Sequence, residues 1–495
     1  MALRDPSLDP ENWASLRALG HRMLDDAFDA LEGVREGPVW QEMPDAVRAA
    51  WKAELPQGDS APEDVYARYR HLIAPYAVGN RHPRFLGWVH GAGTPIGGLA
   101  EMLAGFLNAN CGGRDHAPIA VEAQVIRWAA AMLGFPEDAS GVLLSGTSMA
   151  NFCAILIART GRLGTDVRRG GVGGAGLVGY AAQGAHLCVA RGFDMAGLGA
   201  DALRLIPVDA MGRMRPDVLR ERLAEDRAHG RQPFLLVGTA GSVDIGAIDD
   251  LTGLADLAAQ EGLWLHVDAA FGAIAMLSPT LRPRLAGIER ADSVAFDFHK
   301  WTQVPYESGC LVVRDPAAHR ASFARQADYL ARAPLGLAGG TAWPVDFGPE
   351  LSRGFRALKV WMTLSTYGAD RLGAVTSHCV ALAERFAALI DTAGDVERAA
   401  PVPLNIVCFR VAGLDDAGHV DLAARLQLAG QTVLSTTTIE GRTVLRAAFV
   451  NHRTTEADLP VVLSELRAAI TLRDNPAKSN RSPQTAPATT SLPPG

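Results

Sequence analysis

Cysteine and aromatic residues are both scarce in this 495-residue chain. Aromatic residues make up 6% of the sequence, and the six cysteines occur without any CxxC spacing. Most of them lie in apolar stretches, so we expect reduced core thiols rather than disulfides or metal ligands, and no zinc site. The cysteines are Cys111, Cys153, Cys188, Cys310, Cys379 and Cys408.

The chain also lacks a strong excess of charge and any long hydrophobic run. A formal net charge of −7 argues against a nucleic-acid partner or an anionic-membrane surface. Any phosphate site is therefore expected to use backbone amides and hydroxyl groups. No window of about 18 apolar residues predicts a membrane span, and the N-terminus shows no secretory signal, so a cytoplasmic protein is expected.

The hydrophobic pattern predicts an α/β protein. With 48% hydrophobic residues the chain can bury a large core. Strands predicted at 187–190, 203–208, 234–238, 263–267, 293–298 and 310–314 alternate with helical stretches, which is typical of a mostly parallel sheet with helices on both faces. We predict an N-terminal helical dimerisation segment (1–75), a large domain (76–360), a small α+β domain (361–473) and a disordered tail (474–495). A Gly-rich stretch, 162–179, is expected to be unstructured.

An amphipathic helix is predicted near the N-terminus. Asp9, Pro10 and Glu11 resemble a cap and a first turn, and apolar residues follow at helical spacing. They are Trp13, Leu16, Leu19, Met23, Leu24, Phe28 and Leu31. Such a stripe needs a covering surface, and a second subunit would supply it, so we expect a homodimer.

Two strand ends carry the residues that suggest chemistry. LWLHVD ends at Asp268, and SVAFDFHK places Lys300 directly after His299. A lysine among apolar neighbours favours its neutral, nucleophilic amine, which can bond the carbonyl of pyridoxal phosphate. A carboxylate such as Asp268 would keep the pyridine nitrogen of that cofactor protonated. Strand-end Asp and Lys residues often only cap or solvate loops, so the argument depends on the pair.

Polar residues that could bind the rest of the cofactor precede this pair. Ser145, Gly146, Thr147 and Ser148 lie between an apolar strand and a helix start, where backbone amides and hydroxyls can bind phosphate. The alternative is an ordinary N-cap turn. Ser242 follows another buried strand and is either a second hydroxyl donor or a turn residue.

His186, in QGAHLCVA, could stack on a flat heteroaromatic ring, and it could instead be a satisfied core histidine. The order of the elements favours the cofactor hypothesis: phosphate turn, histidine, hydroxyl turn, aspartate, then His-Lys.

This order resembles the pyridoxal-phosphate-dependent group II decarboxylases, which include aromatic-L-amino-acid, glutamate and histidine decarboxylases. The matching stretches are HPRFLGW (82–88), SGTSMAN (145–151), QGAH (183–186), HVDAA (266–270), DFHKW (297–301), LSRGFRALKVW (351–361) and LRAAFVNHRTT (445–455). The resemblance implies the aspartate-aminotransferase fold, also called fold type I, working as a homodimer with pyridoxal 5'-phosphate. It further implies decarboxylation of an L-amino acid to the amine and carbon dioxide.

The resemblance also implies roles for individual residues. Lys300 matches the lysine that bonds the cofactor aldehyde, Asp268 the partner of the ring nitrogen, and His186 the ring-stacking histidine. Thr147 and Ser148 match the phosphate-binding turn, and Ser242 stands where the family has a threonine. Ala270 matches a residue packed on the ring, and Asp297 and His299 match two polar neighbours of the lysine.

One departure from the family pattern concerns the reaction outcome. Many relatives carry a loop tyrosine that helps to protonate the substrate carbanion, whereas 333–350 here has none, and Tyr329 is the nearest. Without that hydroxyl, oxygen can intercept the carbanion and an aldehyde is released. Oxidative deamination coupled to decarboxylation is therefore an alternative to simple decarboxylation, in which His186 or water would donate the proton.

Substrate preference is predicted from aromatic residues. Phe85 and Trp88 could contact an aromatic side chain, which favours an aromatic L-amino acid, whereas Arg114 or His116 could recognise an acidic one. Two further hypotheses stay open. One is another fold type I reaction, such as aminotransfer, with Arg446 or Arg453 binding the substrate carboxylate. The other is a non-catalytic homologue, against which the retained Lys300 and Asp268 argue.

Overall fold

Residues 7–325, 332–340 and 343–474 are described by the computed structural model, and they form helices around two sheets. The helices are α1 (Trp13–Glu32), α2 (Asp45–Ala50), α3 (Pro62–Leu72), α4 (Pro95–Leu107), α5 (Ala117–Leu133), α6 (Thr147–Leu163), α7 (Val167–Gly170), α8 (Cys188–Met195), α9 (Pro216–Ala228), α10 (Leu251–Glu261), α11 (Pro316–Phe323), α12 (Arg356–Thr392), α13 (Asp416–Ala429) and α14 (Asp458–Asp474). The strands are β1 (Ser140–Leu144), β2 (Leu177–Ala182), β3 (Leu203–Ile206), β4 (Gln232–Thr239), β5 (Trp264–Asp268), β6 (Ser293–Asp297), β7 (Gly309–Val313), β8 (Val396–Arg398), β9 (Ile406–Val411), β10 (Ser435–Ile439) and β11 (Arg442–Ala448).

The larger sheet has seven strands in the order β1-β7-β6-β5-β4-β2-β3. Strands β3, β2, β4, β5 and β6 pair in parallel, and β7 is antiparallel to both of its neighbours. Strands β2, β6 and β7 are buried along their whole length, which explains their continuous apolar sequences. The predicted α/β class and mostly parallel sheet are confirmed.

The direction of these strands positions the site. Since β7 reverses direction between β6 and β1, strands β1, β4, β5 and β6 all end at the same edge of the sheet. Their last residues are Leu144, Thr239, Asp268 and Asp297. The polar residues that follow them therefore meet at the carboxyl edge, where open α/β sheets bind ligands.

The C-terminal part contains the second sheet, which is antiparallel with the order β10-β11-β9-β8. Helix α12 leads into it and breaks at Gly368, whose φ of 71° only glycine adopts readily. This helix is long and apolar enough to span a bilayer, but half of its most apolar window is buried against the protein, as in a core helix. The predicted α+β character is present, while the exact domain boundaries stay a prediction.

Two secondary-structure predictions were wrong. Residues 187–190 are not a strand: Leu187 precedes helix α8, and the strand of this region is β2. The short apolar run LCVA fits either structure, because helix and strand periods cannot be distinguished over four residues. The stretch 162–179 contains the end of α6, all of α7 and the first residues of β2. Its glycines therefore do not prevent regular structure.

Helix α1 confirms the N-terminal prediction, although its cap is Asn12, whose side chain accepts a hydrogen bond from the Ser15 amide at 3.1 Å. Much of its apolar stripe faces solvent. Trp13 is 61% exposed and Phe28 41%, and Phe106 on the adjacent helix α4 is 85% exposed. Between α1 and α4 runs an apolar groove of about 580 Å³. Dimerisation through this segment stays a prediction.

The tail predicted to be disordered, 474–495, lies outside the described residues except for Asp474. All six cysteines are free and buried.

Candidate active site

A cavity of about 540 Å³ lies at the carboxyl edge of the large sheet. It brings together residues that are far apart in sequence and that were predicted as site residues. Those that line it are Trp88, Thr147, Ser148, His186, Ser242, Asp268, Ala270, Asp297, His299 and Lys300. The predicted turns, acids, histidines and lysine therefore share one pocket.

Lys300 lies beside Asp297 within this cavity. Its Nζ is 3.0 Å from Asp297 Oδ2, and its side chain keeps 22% exposure. The other Asp297 oxygen accepts a hydrogen bond of 2.7 Å from the Thr147 amide. His299 Nε2 lies 3.7 Å from Asp297, and His299 Nδ1 accepts from the Ser308 amide at 3.1 Å. Asp297 thus links the Lys300 amine to the start of helix α6.

Asp268 is a buried carboxylate, and within the described part of the chain the hydrogen bonds it accepts come from neutral donors. Asn151 Nδ2 donates to it at 2.8 Å, and the Ala270 amide donates at 3.2 Å. Burial raises the pKa of Asp268, and the Asn151 hydrogen bond and the Lys300 charge only partly oppose that shift. A cation placed beside this group in the cavity would relieve the cost of burying it.

Asn151 is in turn fixed by neighbours from the sheet. Its Oδ1 lies 2.9 Å from His266 Nε2, and its Nδ2 also lies 3.2 Å from Cys188 Sγ. His266 Nδ1 contacts Ser293 Oγ at 2.9 Å, which accepts from Trp264 Nε1 at 2.8 Å. Burial lowers the pKa of His266 to about 4, so the imidazole is neutral at neutral pH.

The turn before α6 is a cradle for an anion. The Thr147 hydroxyl is buried and has no hydrogen-bond partner among the described residues, although it lines the cavity. A Cβ added to Gly309 would lie 2.4 Å from Gly146 Cα, so this close backbone approach requires glycine. The Thr147 amide already donates to Asp297, so the groups that suit a phosphate are the Ser148 amide, the Thr147 and Ser148 hydroxyls and the helix dipole.

Ser242 and His186 line the cavity with partners of their own. The Ala247 amide donates to Ser242 Oγ at 3.0 Å, so this serine also shapes its own turn. His186 lies in the loop between β2 and α8, and its Nδ1 accepts a hydrogen bond from the Cys188 amide at 3.2 Å. That contact fixes the imidazole at the start of α8, next to the Asp268 network. His186 is exposed to the cavity rather than buried in the core.

The structure separates the two predicted substrate residues. Trp88 lines the cavity, whereas Phe85 is 4% exposed and packs behind Trp88 with ring centroids 6.2 Å apart. Arg114 lies over the Trp343 ring at 4.8 Å, and His116 precedes helix α5; neither lines the cavity.

The candidate carboxylate-binding arginines also point elsewhere. Arg446 is buried and donates to Ser435 and to the Asp244 carbonyl, and Arg453 donates to the Ala92 and Gly93 carbonyls. Neither belongs to the residues that line the cavity. Tyr329 lies outside the described residues.

Sequence reasoning missed five residues of the site. Asn151 and His266 lie behind Asp268, outside the cavity lining; they belong to the quoted SGTSMAN and HVDAA stretches, but their contacts depend on the fold. His90, Tyr306 and Glu307 line the cavity itself. The His90 ring stacks against both Phe85 and Trp88, with centroids at 5.7 and 6.0 Å, and lies edge-on to Tyr306. An aromatic wall therefore borders the lysine.

Comparison with known proteins identifies the family. The family model described as the pyridoxal-dependent decarboxylase conserved domain matches residues 44–412. The chain belongs to this family. An aromatic-L-amino-acid decarboxylase of Bacillus atrophaeus is 31% identical over 92% of this chain and 95% of its own length. An L-2,4-diaminobutyrate decarboxylase of Rhizobium meliloti is 33% identical over 76% of this chain and 75% of its own.

A solved structure shares the fold closely. The crystal structure of Oryza sativa TDC with PLP and tryptamine has a TM-score of 0.86 and 26% identity, and the match covers 95% of this chain and 100% of that one. This decarboxylase therefore has fold type I, uses pyridoxal phosphate and acts as a carboxy-lyase. The unpartnered Thr147 hydroxyl, the glycine-dependent turn, the buried Asp268 and Lys300 all fit that cofactor. The roles of individual residues stay predictions.

Proposed function

We propose that the protein decarboxylates an aromatic L-amino acid to the corresponding amine and carbon dioxide. The observation that carries the proposal is the aromatic wall of the cavity. Trp88, His90 and Tyr306 border the space next to Lys300, and Trp88 is 49% exposed there. Flat, partly exposed rings favour the burial of another ring by stacking. The aromatic-L-amino-acid decarboxylase of Bacillus atrophaeus, 31% identical, supports the same substrate class.

In this proposal each polar group of the cavity has one task. The Thr147 and Ser148 hydroxyls and the Ser148 amide would hold the cofactor phosphate, and Lys300 would bond its aldehyde. When bound, the cofactor would supply a ring that can take up the negative charge left by loss of the carboxylate. Asp268 would keep the ring nitrogen protonated, and His186 would orient the ring.

The chemistry after loss of carbon dioxide has an alternative. No tyrosine occurs in 333–350, and Tyr329, the nearest one, lies outside the described residues. If proton delivery to Cα is slow, dissolved oxygen reacts instead, and the amino acid, oxygen and water give an aldehyde, carbon dioxide, ammonia and hydrogen peroxide. This oxidative deamination is the second candidate function. Aminotransfer is not favoured, because Arg446 and Arg453 lie outside the cavity lining. A non-catalytic role is not favoured, because Lys300 and Asp268 are both retained and line the cavity.

The assembly and its location are also proposed. The exposed apolar faces of α1 and α4 support a homodimer, since large exposed patches usually mark interfaces. The net charge of −7 supports the absence of nucleic-acid and membrane partners. A cytoplasmic location stays a proposal that rests on the lack of a visible secretory signal in the sequence.

The proposal is tested with amino acids in solution and with one variant. The loaded wild type is incubated with L-phenylalanine, L-tyrosine, L-tryptophan, L-histidine, L-glutamate and L-2,4-diaminobutyrate, while carbon dioxide, amine, aldehyde, peroxide and oxygen are measured. Fastest release of carbon dioxide from an aromatic substrate, with no oxygen consumed, is the expected result. Preference for glutamate or diaminobutyrate would contradict the substrate class, and consumption of one oxygen per turnover would establish the oxidative route.

Lys300→Ala should lose the visible band that borohydride reduction fixes to the protein. Lys359→Ala is the matched control, because Lys359 is a buried lysine paired with Glu101 outside the cavity. A reducible band that Lys300→Ala retains, with the cofactor mapped to another lysine, or a band lost equally in the control, would disprove the assignment.

A further inference from the structure

His90 has a position in the cavity that no sequence motif assigned. Its imidazole stacks against the Phe85 and Trp88 rings, with 15° and 21° between the ring planes, and it lies edge-on to Tyr306 at 79°. These contacts fix the plane of the imidazole. The hydrogen bonds that its two nitrogens can form lie in that same plane.

The segment that carries His90 is fixed beside Lys300. A Cβ added to the next residue, Gly91, would overlap the backbone carbonyl oxygens of His299 and Lys300, so the two segments pack directly on each other. Asn80 Nδ2 donates to the Gly91 carbonyl at 2.5 Å. His90 is therefore held at the cavity wall next to the lysine.

The ring nitrogens of His90 have no partner in the described part of the chain. Neither nitrogen forms a hydrogen bond there, although the residue is half-buried and lines the cavity. Burial lowers the pKa of His90, and the charges of Lys300 and His299 add to that shift, so the imidazole is neutral at neutral pH. One nitrogen then carries a proton, and the other has a lone pair that can accept a hydrogen bond.

Other polar side chains of the cavity already have partners. Glu307 pairs with Arg356 at 3.1 Å, and Ser242 Oγ accepts from the Ala247 amide at 3.0 Å. The Thr239 hydroxyl has no partner among the described residues, but Thr239 pairs in register with Asp268, on the side that the cofactor would occupy.

We propose that His90 determines substrate specificity by accepting a hydrogen bond from an O–H or N–H group on the substrate ring. The substrate class is then an aromatic L-amino acid whose ring carries such a donor, a phenol or an indole, in preference to phenylalanine. An unsubstituted ring displaces water from the cavity and leaves the lone pair of His90 without a partner, which weakens binding. This inference rests on the proposed function and narrows its substrate.

The test compares kcat/KM for L-tyrosine, L-tryptophan, L-phenylalanine and O-methyl-L-tyrosine in the loaded enzyme. The wild type should prefer tyrosine or tryptophan to phenylalanine by at least about 10-fold, as expected for one hydrogen bond in a partly desolvated site. O-methyl-L-tyrosine keeps the oxygen but not its proton, so it should lose this preference. The tyrosine and tryptophan arms distinguish an O–H donor from an N–H donor.

Two variants at position 90 separate hydrogen bonding from packing. His90→Phe keeps a flat ring for the stack and removes both nitrogens, so the preference over phenylalanine should fall to about one. His90→Gln carries an amide oxygen that can accept again, so it should restore part of the preference. The matched control is His116→Phe, at a histidine outside the cavity lining, and it should keep the wild-type preference. Tyr306→Phe, which removes the neighbouring hydroxyl, should keep it as well.

A second readout does not depend on turnover. The dissociation constants of the product amines tyramine and phenethylamine for the loaded enzyme, measured by calorimetry, should differ by at least about 10-fold in the wild type and be similar in His90→Phe. The dissociation constant of pyridoxal phosphate should be the same in both proteins.

Four results would overturn the inference. They are a wild type without preference for a ring donor, a His90→Phe variant that keeps the preference, a loss of activity in that variant that is equal for all four substrates, and a preference lost in Tyr306→Phe instead. A wild type that releases no carbon dioxide from any aromatic amino acid would refute the proposed function itself, and is thus distinguishable from failure of the His90 assignment.

Discussion

Replacing Asp268 by Asn should weaken cofactor binding without destabilising the apoprotein. The carboxylate is buried and receives hydrogen bonds from Asn151 and the Ala270 amide. Asparagine keeps the shape and can still accept one of them, but it cannot offer an anion to a protonated ring nitrogen. Because burial raises the pKa of Asp268, removing its charge relieves a cost in the empty protein. The apoprotein should therefore be at least as stable as the wild type.

The expected loss of affinity follows from the strength of one charge-assisted hydrogen bond. Such bonds contribute about 1.5–3 kcal/mol, so their loss should make the dissociation constant for pyridoxal phosphate roughly 10 to 100 times larger. At a cofactor concentration of 100 times the wild-type value, binding stabilises the wild type by about 2.7 kcal/mol. A variant weakened 100-fold would keep only about 0.4 kcal/mol. Turnover should fall further, since the uncharged ring accepts electrons poorly.

The assay is thermal unfolding of apoprotein and loaded protein, together with titration of the apoprotein by cofactor. Asp226→Asn is the matched control: Asp226 is also buried, but it pairs with Tyr180 and Arg204 outside the cavity. The control should lose apoprotein stability and keep wild-type affinity. The reasoning is refuted if Asp268→Asn binds the cofactor with wild-type affinity or destabilises the apoprotein as much as the control does.

Two further predictions test the turn and the buried histidines. Gly309→Ala would place a Cβ 2.4 Å from Gly146 Cα, so cofactor affinity should fall at least about 10-fold. Gly161→Ala, with no atom within 4 Å of the added Cβ, should leave the affinity unchanged. Equal affinities in the two variants would contradict the packing argument. Burial lowers the pKa of His319 to about 4, below its unfolded value of about 6.5, so its contribution to stability is complete above pH 6.5 and is lost as pH falls toward 4, by about 3 kcal/mol in total. The measurement is the free energy of unfolding of the apoprotein in urea between about pH 4 and pH 6.5. His319→Gln should reduce the slope of this free energy against pH by the equivalent of about one proton, whereas His21→Gln, at an exposed site, should not. Equal slopes in the two variants would contradict the argument.

The sheet and much of the cavity lining could be predicted because strand ends are visible in the sequence. Asp268 ends strand β5 and Lys300 follows strand β6, and the carboxyl ends of parallel strands meet at one edge. The ambiguity of LCVA could not be resolved, because four apolar residues fit a helix as well as a strand. Asn151 and Asp268 are 117 residues apart, and no local pattern signals their hydrogen bond. Phe85 looked equivalent to Trp88, yet only the fold decides which ring faces the cavity.

The hydrogen bonds behind Asp268 run in a single direction. Since Asn151 Nδ2 donates to the carboxylate, its Oδ1 must accept from His266 Nε2, which leaves His266 Nδ1 to accept the Ser293 hydroxyl proton. Ser293 itself accepts from the Trp264 indole. Each donor is thus polarised by the next, from the far side of the sheet to the cavity floor. The Asp268 carboxylate is stabilised by aligned dipoles and, among the described residues, not by a hydrogen-bonded lysine or arginine. Its charge therefore remains available to a cation bound in the pocket.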